Sequence, residues 1–299
     1  MQNAFIEILG KENVLIDEPM SKHTTFRIGG KADYFLTPET TEQIVALLEL
    51  IRKAEMPCFI LGNGSNLLVG DKGIRGAVIN LYKKMEKVEV CGEKVIAQCG
   101  ALLSKTASVA MKAELTGIEF ASGIPGTVGG AVYMNAGAYG PELKDIIDKV
   151  RYIDSDLQVK ELSGNDERFG YRKSPFTNSD CVILECTFNL KKGNIDEIRE
   201  MTNDLTHRRV TKQPVDKPSA GSVFKRPEGF FAGALIEEAN LKGFSIGGAQ
   251  VSEKHAGFII NTGNATARDV LDLIEHIKET VMERSGVELE SEIKTVGEF

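Results

Sequence analysis

The chain has 299 residues, 42% of them hydrophobic and 26% charged, with a formal net charge of −7. That length suits two or three modest domains with a sizeable core, and no apolar run approaches the ~20 residues needed to cross a bilayer. The acidic balance opposes non-specific binding to nucleic acid, which rests on clustered Lys and Arg, and nothing in the composition calls for an obligatory protein partner.

In chain order, the pattern predicts a strand over 32–37 and then a helix starting at Thr40, where Gln43 completes a capping-box pattern. Ile44, Leu47, Leu48 and Ile51 form its apolar stripe. A strand over 58–61 closes a β-α-β start, and another over 77–81 soon follows. Short strands are expected over 88–91 and 95–98, a helix over 102–113, and strands over 150–153 and 182–189. The Lys191-Lys192-Gly193 turn reads as a domain boundary. Asn194 with Glu197 caps the next helix, which should end near Arg208. Beyond it lie a short helix over 234–239, a strand over 257–261 and a long helix after Thr266. On that helix Val270, Leu273, Ile274, Ile277 and Val281 make the buried stripe, which places His276 on the solvent side. The last strand is expected over 287–296.

Two glycine-rich segments interrupt this pattern. The turn Gly62-Asn63-Gly64-Ser65-Asn66-Leu67 has Leu67 where a dinucleotide fingerprint has its third glycine, and no acidic residue ends a clear second strand downstream. It is neither that fingerprint nor a P-loop. Its backbone N–H groups, with Ser65 and Asn66, can hold an anion, and the same residues also make an ordinary tight turn. The second segment, FASGIPGTVGGAVYMNAGAYG (120–140), packs six glycines and four alanines into 21 residues. Such density lets backbone pass close to something flat or extended, or lets two elements pack closely.

The five cysteines, Cys58, Cys91, Cys99, Cys181 and Cys186, are odd in number, lie mostly in apolar stretches and show no C-x-x-C spacing. They read as core thiols rather than a disulfide framework or metal site, and no metal is expected. The start, MQNAFIEILG, has neither a basic n-region nor a small-residue cleavage site, so the cytoplasm is the expected compartment. One stretch runs against the acidic balance: 207–226 carries Arg208, Arg209, Lys212, Lys217, Lys225 and Arg226 against the single acid Asp216.

LGNGSNLLV (61–69) and SGIPGTVGGAVYMNAGAYG (122–140) resemble the signature of the p-cresol methylhydroxylase / vanillyl-alcohol oxidase type of FAD-binding domain. Together with HTTFRIGG (23–30), FGYRKSPF (169–176), KQPVDKPSAGSVFKRP (212–227), AGALIEEANLKGFSIGGAQVSEKHAGFIIN (232–261) and LESEIKTVGE (289–298), they resemble the UDP-N-acetylenolpyruvoylglucosamine reductases along nearly the whole chain. The resemblance implies an α+β fold: a two-subdomain FAD-binding region over 1–193, divided near 81, and an α+β substrate-binding domain over 194–299. It implies non-covalent FAD, NADPH as co-substrate and the enolpyruvyl ether of UDP-N-acetylglucosamine as substrate. Relatives that tether the flavin often place a histidine beside the first glycine turn, whereas Asn63, Ser65 and Asn66 stand there in this chain. No long insertion separates Phe188 from the 191–193 turn, as in the shorter class of these reductases, which lacks the tyrosine-bearing insertion that covers substrate in the longer class.

By resemblance, FAD is held by Leu61, Gly62, Asn63, Gly64, Ser65, Asn66 and Leu67 of the first segment. The second contributes Ser122, Gly123, Ile124, Pro125, Gly126, Thr127, Gly129, Gly130, Asn135, Gly137, Ala138 and Tyr139. Arg172 matches the catalytic arginine, Ser222 the proton donor and Glu292 the catalytic glutamate; Tyr171, Lys212, Lys225 and Arg226 are candidates for substrate contact. Residue chemistry alone leaves Glu292 open, because period-2 alternation sets Glu288, Glu290 and Glu292 on one solvated strand face. His23, His207 and His255 are expected to be structural. The alternatives are a flavin oxidase of the same fold acting on a sugar or alcohol, and a flavin-binding sensor without turnover.

Overall fold

A computed structural model of the protein describes all 299 residues, and the chain divides into two compact units. The first comprises 1–15, 34–63 and 77–208; the second comprises 16–33, 64–76 and 209–299. Seven helices occur, α1 (Gln2–Leu9), α2 (Thr41–Lys53), α3 (Leu103–Lys112), α4 (Val128–Tyr133), α5 (Ile195–Lys212), α6 (Ala232–Glu238) and α7 (Ala267–Ser285). None is long and apolar enough to cross a membrane.

In the first unit α2 starts as its cap predicts, with Gln43 N–H donating to Thr40 Oγ1 at 3.2 Å. The returning bond goes one residue further, from Glu39 N–H to Gln43 Oε1 at 2.7 Å. Ile44, Leu47 and Ile51 are buried, and Leu48 is half-buried at the stripe's edge. Strand Cys58–Leu61 runs parallel to Ile74–Asn80, with Cys58 opposite Ala77. The larger sheet is antiparallel, in the order Val159–Ser163, Ile147–Ile153, Val182–Asn189, Lys94–Gln98, Val88–Cys91. α4 packs on its central strand, and Leu103, Val128, Phe176 and Phe188 lie in the core there.

Four expectations need correction. The turn at 191–193 is no boundary in the packing: Lys191–Lys192 pairs antiparallel with Leu115–Thr116, and Gly193 N–H donates to Glu114 O at 2.9 Å. α5 runs past Arg208 to Lys212, and the first unit ends within it. The expected last strand over 287–296 shrinks to Lys294–Val296, parallel to Leu67–Val69; upstream, an isolated bridge joins Ser291 to Phe224 instead of a continuous ladder. Of the cysteines, only Cys99 and Cys186 are buried, Cys181 is half-buried, and Cys58 and Cys91 are exposed. Burial pushes the Cys99 thiol up to about 12, away from any reactive thiolate.

The second unit is built on an antiparallel sheet ordered Ser219–Ser222, Phe258–Asn261, Ala249–Val251, Ser245–Ile246, with α6 and α7 packed in its core. α7 opens with a complete capping box: Asp269 N–H donates to Thr266 Oγ1 at 3.0 Å, and Thr266 N–H to Asp269 Oδ2 at 2.9 Å. The Asp71 carboxylate takes two more of its free N–H groups, from Ala267 at 2.8 Å and Arg268 at 3.1 Å. Gly286, with φ of 69°, ends it in the left-handed conformation. The predicted stripe is buried throughout. His276 lies off that stripe, half-buried, with its ring stacked on the exposed Phe244 at a centroid distance of 4.5 Å.

Candidate active site

Within the first unit, the start of the first glycine turn meets the second glycine segment. Asn63 Nδ2 donates to Pro125 O at 2.6 Å, and a side chain on Gly62 would collide with Thr127 Oγ1. The second segment is threaded against the sheet by Val128 N–H to Ala101 O and Gly129 N–H to Cys99 O, both at 2.8 Å. Gly129 thus owes its smallness to packing, since a Cβ there would stand 3.0 Å from Cys99 Cβ. Ser122 Oγ is different. It is buried without any hydrogen-bond partner in the protein, and such an orphan in a built loop is explained by a bound polar group. That hydroxyl, on backbone kept small around it, fits a cofactor held along 122–127.

The rest of the first turn lies in the second unit. Gly64 has φ of 62°, and any side chain there would run into the carbonyl oxygen of His23. The His23 ring is turned to Glu18, with Nε2 3.0 Å from Oε1. Ser65 is half-buried, Leu67 starts the strand Leu67–Val69, and Asn66 Nδ2 donates to Glu292 O at 3.2 Å. Asn66, expected at the cofactor, therefore also fixes the backbone of a catalytic candidate.

Arg172 lies in a tight turn of the first unit. Gly170 and Lys173 exchange both backbone hydrogen bonds, at 2.9 and 3.0 Å, leaving Tyr171 and Arg172 at the tip. Arg172 has φ of 53°, uncommon for a residue with a side chain. Its guanidinium lies 5.0 Å from the centre of the exposed Tyr171 ring, and Nη2 donates to Gly137 O at 3.4 Å. Nearby, Tyr139 is exposed and donates through its hydroxyl to Leu205 O at 3.3 Å. Asn135 is fully buried, and its amide is wholly engaged by protein groups.

In the second unit Ser222 and Glu292 sit on adjoining segments. Ser219 faces Ile260 and Ser222 faces Phe258, so the Ser222 strand holds one extra residue there. Gly221, with φ of 79°, supplies the left-handed conformation such a bulge requires, and bulges re-aim the side chain that follows. Ser222 Oγ is half-buried and donates to Phe224 O at 3.1 Å. Glu292 is pinned through its backbone, with N–H to Val223 O at 2.7 Å and C=O to Asn66. Glu288 and Glu290 are exposed whereas Glu292 is half-buried. Lys225 is ion-paired with Glu290, and Arg226 stacks 4.0 Å from the ring centre of the exposed Phe231. Lys212 is the exposed last residue of α5. His255 accepts Gly257 N–H on Nδ1, and burial holds its pKa below the usual range. The bulge and the Asn66 clamp on Glu292 were not legible in sequence, because both are long-range pairings; the AGS run at 220–222 was the only local signal.

Residues 32–163 match the FAD binding domain model, and 213–296 match the model of the UDP-N-acetylenolpyruvoylglucosamine reductase C-terminal domain. The UDP-N-acetylenolpyruvoylglucosamine reductase of Caldanaerobacter subterraneus subsp. tengcongensis is 53% identical over 98% of this chain and 96% of its own. The crystal structure of the Thermus caldophilus UDP-N-acetylenolpyruvylglucosamine reductase superposes with a TM-score of 0.81 at 34% identity, covering 95% of this chain and 98% of that one. A glucose oxidase variant of Phl p 4 matches only 64% of this chain and 44% of its own, with a TM-score of 0.53 at 15% identity, and shares the fold alone.

Proposed function

The chain belongs to the UDP-N-acetylenolpyruvoylglucosamine reductase family, and from that premise we propose how its residues divide the work. It is an FAD-dependent oxidoreductase that uses NADPH to reduce the enolpyruvyl ether of UDP-N-acetylglucosamine to UDP-N-acetylmuramate, a step of peptidoglycan precursor synthesis. Its fold is α+β, an FAD-binding region followed by a C-terminal substrate domain. FAD, when bound, would supply the redox chemistry, hydride transfer between NADPH and the substrate double bond.

The protein's own task is to bind the carboxylate, stabilise the enolate-like charge and deliver a proton. Arg172 binds a carboxylate or enolate oxygen through paired N–H groups of its planar guanidinium. Ser222 donates the proton to the carbon beside the carboxylate. A hydroxyl is a weak acid in water but adequate toward a strongly basic carbanion. It turns from Phe224 O to do so, and the Gly221 bulge supports this reading because it aims the side chain independently of the ladder. Glu292, clamped by its backbone beside Val223, stabilises the enol or orders the proton relay. Lys212, Lys225 and Arg226 take the diphosphate, and Tyr171 lies against the substrate. Ser122 and the backbone of the two glycine segments hold FAD. The cytoplasm is the proposed compartment, supported by the nucleotide substrates of the reaction. The Ser222 bulge is the observation that carries this assignment of roles, and Ser222→Ala tests it. Flavin reduction by NADPH should stay near wild type, while reoxidation by substrate slows about 10²–10⁴-fold, the usual worth of a positioned general acid. Anaerobic stopped-flow reads both halves in one preparation. A variant crippled in the first half, or reoxidised at the wild-type rate, removes Ser222 from the mechanism.

A further inference from the structure

We infer that Asn135 is a positioning residue, which holds the Arg172 turn in its working shape from within the flavin segment; the inference rests on the catalytic reading of Arg172 above. Its side chain has nothing left to offer a cofactor. Nδ2 donates to Gly170 O at 2.9 Å and to Glu142 Oε2 at 3.1 Å, and Oδ1 accepts Lys144 N–H at 2.9 Å. The residue is fully buried with φ of 47°, a conformation asparagine adopts more readily than most residues.

What it grips matters. Gly170 O is the acceptor that closes the turn, because Lys173 N–H donates to it at 3.0 Å, and the Asn135 amide donates to the same oxygen. Arg172 at the tip is held at φ of 53°, a conformation that persists only where the surroundings over-determine it. The far side of the turn is bolted as well. Ser174 Oγ donates to Tyr133 O at 2.6 Å and Thr177 Oγ1 to the same oxygen at 3.0 Å. The guanidinium itself reaches Gly137 O at 3.4 Å. Asn135, Gly137 and Tyr133 therefore fasten the turn before, at and after its tip, all from the single stretch where α4 ends. The stretch that lies along the cofactor segment also sets the conformation of the arginine, and Asn135 grips the turn through its side chain.

The test uses the flavin-loaded enzyme with Asn135→Gly, which keeps a left-handed backbone and removes only the amide, and Asn135→Asp, which keeps the shape and loses both donors. Both should retain flavin and be reduced by NADPH within about two-fold of wild type. Reoxidation by the enolpyruvyl substrate should fall on the order of 10²-fold, the cost of misplacing a reacting group by about 1 Å. In an Arg172→Ala background Asn135→Gly should add almost nothing, because the amide acts through the arginine. Losses that multiply in the double variant overturn the inference while leaving Arg172 in place. Loss of flavin from both single variants makes Asn135 a cofactor ligand, and loss of the fold in both makes it purely structural; either overturns positioning. If Arg172→Ala alone reoxidises at the wild-type rate, the catalytic reading of Arg172 falls and this inference with it.

Discussion

Lys225 and Arg226 are neighbours with different partners, Glu290 for the first and the Phe231 ring for the second. A phosphate-binding lysine held by an exposed carboxylate can exchange that partner for a diphosphate at little cost, since exposed ion pairs are weak. Removing either cation should raise KM for the UDP-sugar by about 10- to 100-fold, the worth of a charge-assisted hydrogen bond of ~1.5–3 kcal/mol, with kcat nearly unchanged. Steady-state kinetics checks this, and a substrate analogue without the diphosphate should bind wild type and variants alike. At this scale the sequence offers candidates where a motif points to a residue, as for Arg172 and Ser222. It was least informative about long-range side-chain partners. Asn135 and Asn66 both sit in cofactor-like motifs, yet one amide is consumed by Gly170, Glu142 and Lys144, and the other reaches Glu292 O. Partners 35 and 226 residues away leave no local trace.

α7 shows an element that sequence describes well. Its five-residue stripe is buried as read, and its cap is a reciprocal Thr266–Asp269 box reinforced by Asp71. Thr266→Ala should lower stability by ~1 kcal/mol, the usual cost of losing an N-cap hydroxyl, and urea unfolding of the flavin-loaded protein reads it as a lower midpoint at constant slope. An unchanged midpoint would mean that Asp71 alone suffices. α4 is the opposite case. It is six residues long with Gly129 and Gly130 inside it, so propensity speaks against a helix, and it forms because Thr127 caps it and Ala101 and Cys99 take its first N–H groups. The strand expected over 287–296 failed for a related reason. Alternation at 288–293 is real in its burial, but most of the segment lacks a ladder partner. Alternation reports a half-buried extended chain, whether or not a neighbour pairs with it.

For the molecule as a whole, the order of domains was legible and their boundaries were not. Segments 16–33 and 64–76 belong to the same compact unit as 209–299, and such discontinuity follows from contacts hundreds of residues apart, exemplified by Asp71 capping α7. The family was legible because several specific motifs stand in one order along the chain. The central claim, an FAD enzyme that passes reducing equivalents from NADPH to an enolpyruvyl sugar nucleotide, is tested most directly by one anaerobic absorbance titration. The purified protein should be yellow, bleach on adding NADPH and regain its colour on adding the enolpyruvyl ether of UDP-N-acetylglucosamine, with free FAD released by acid afterwards. Bleached flavin that stays colourless with that substrate and recovers only when oxygen is admitted, or a cofactor that proves to be FMN, would contradict it.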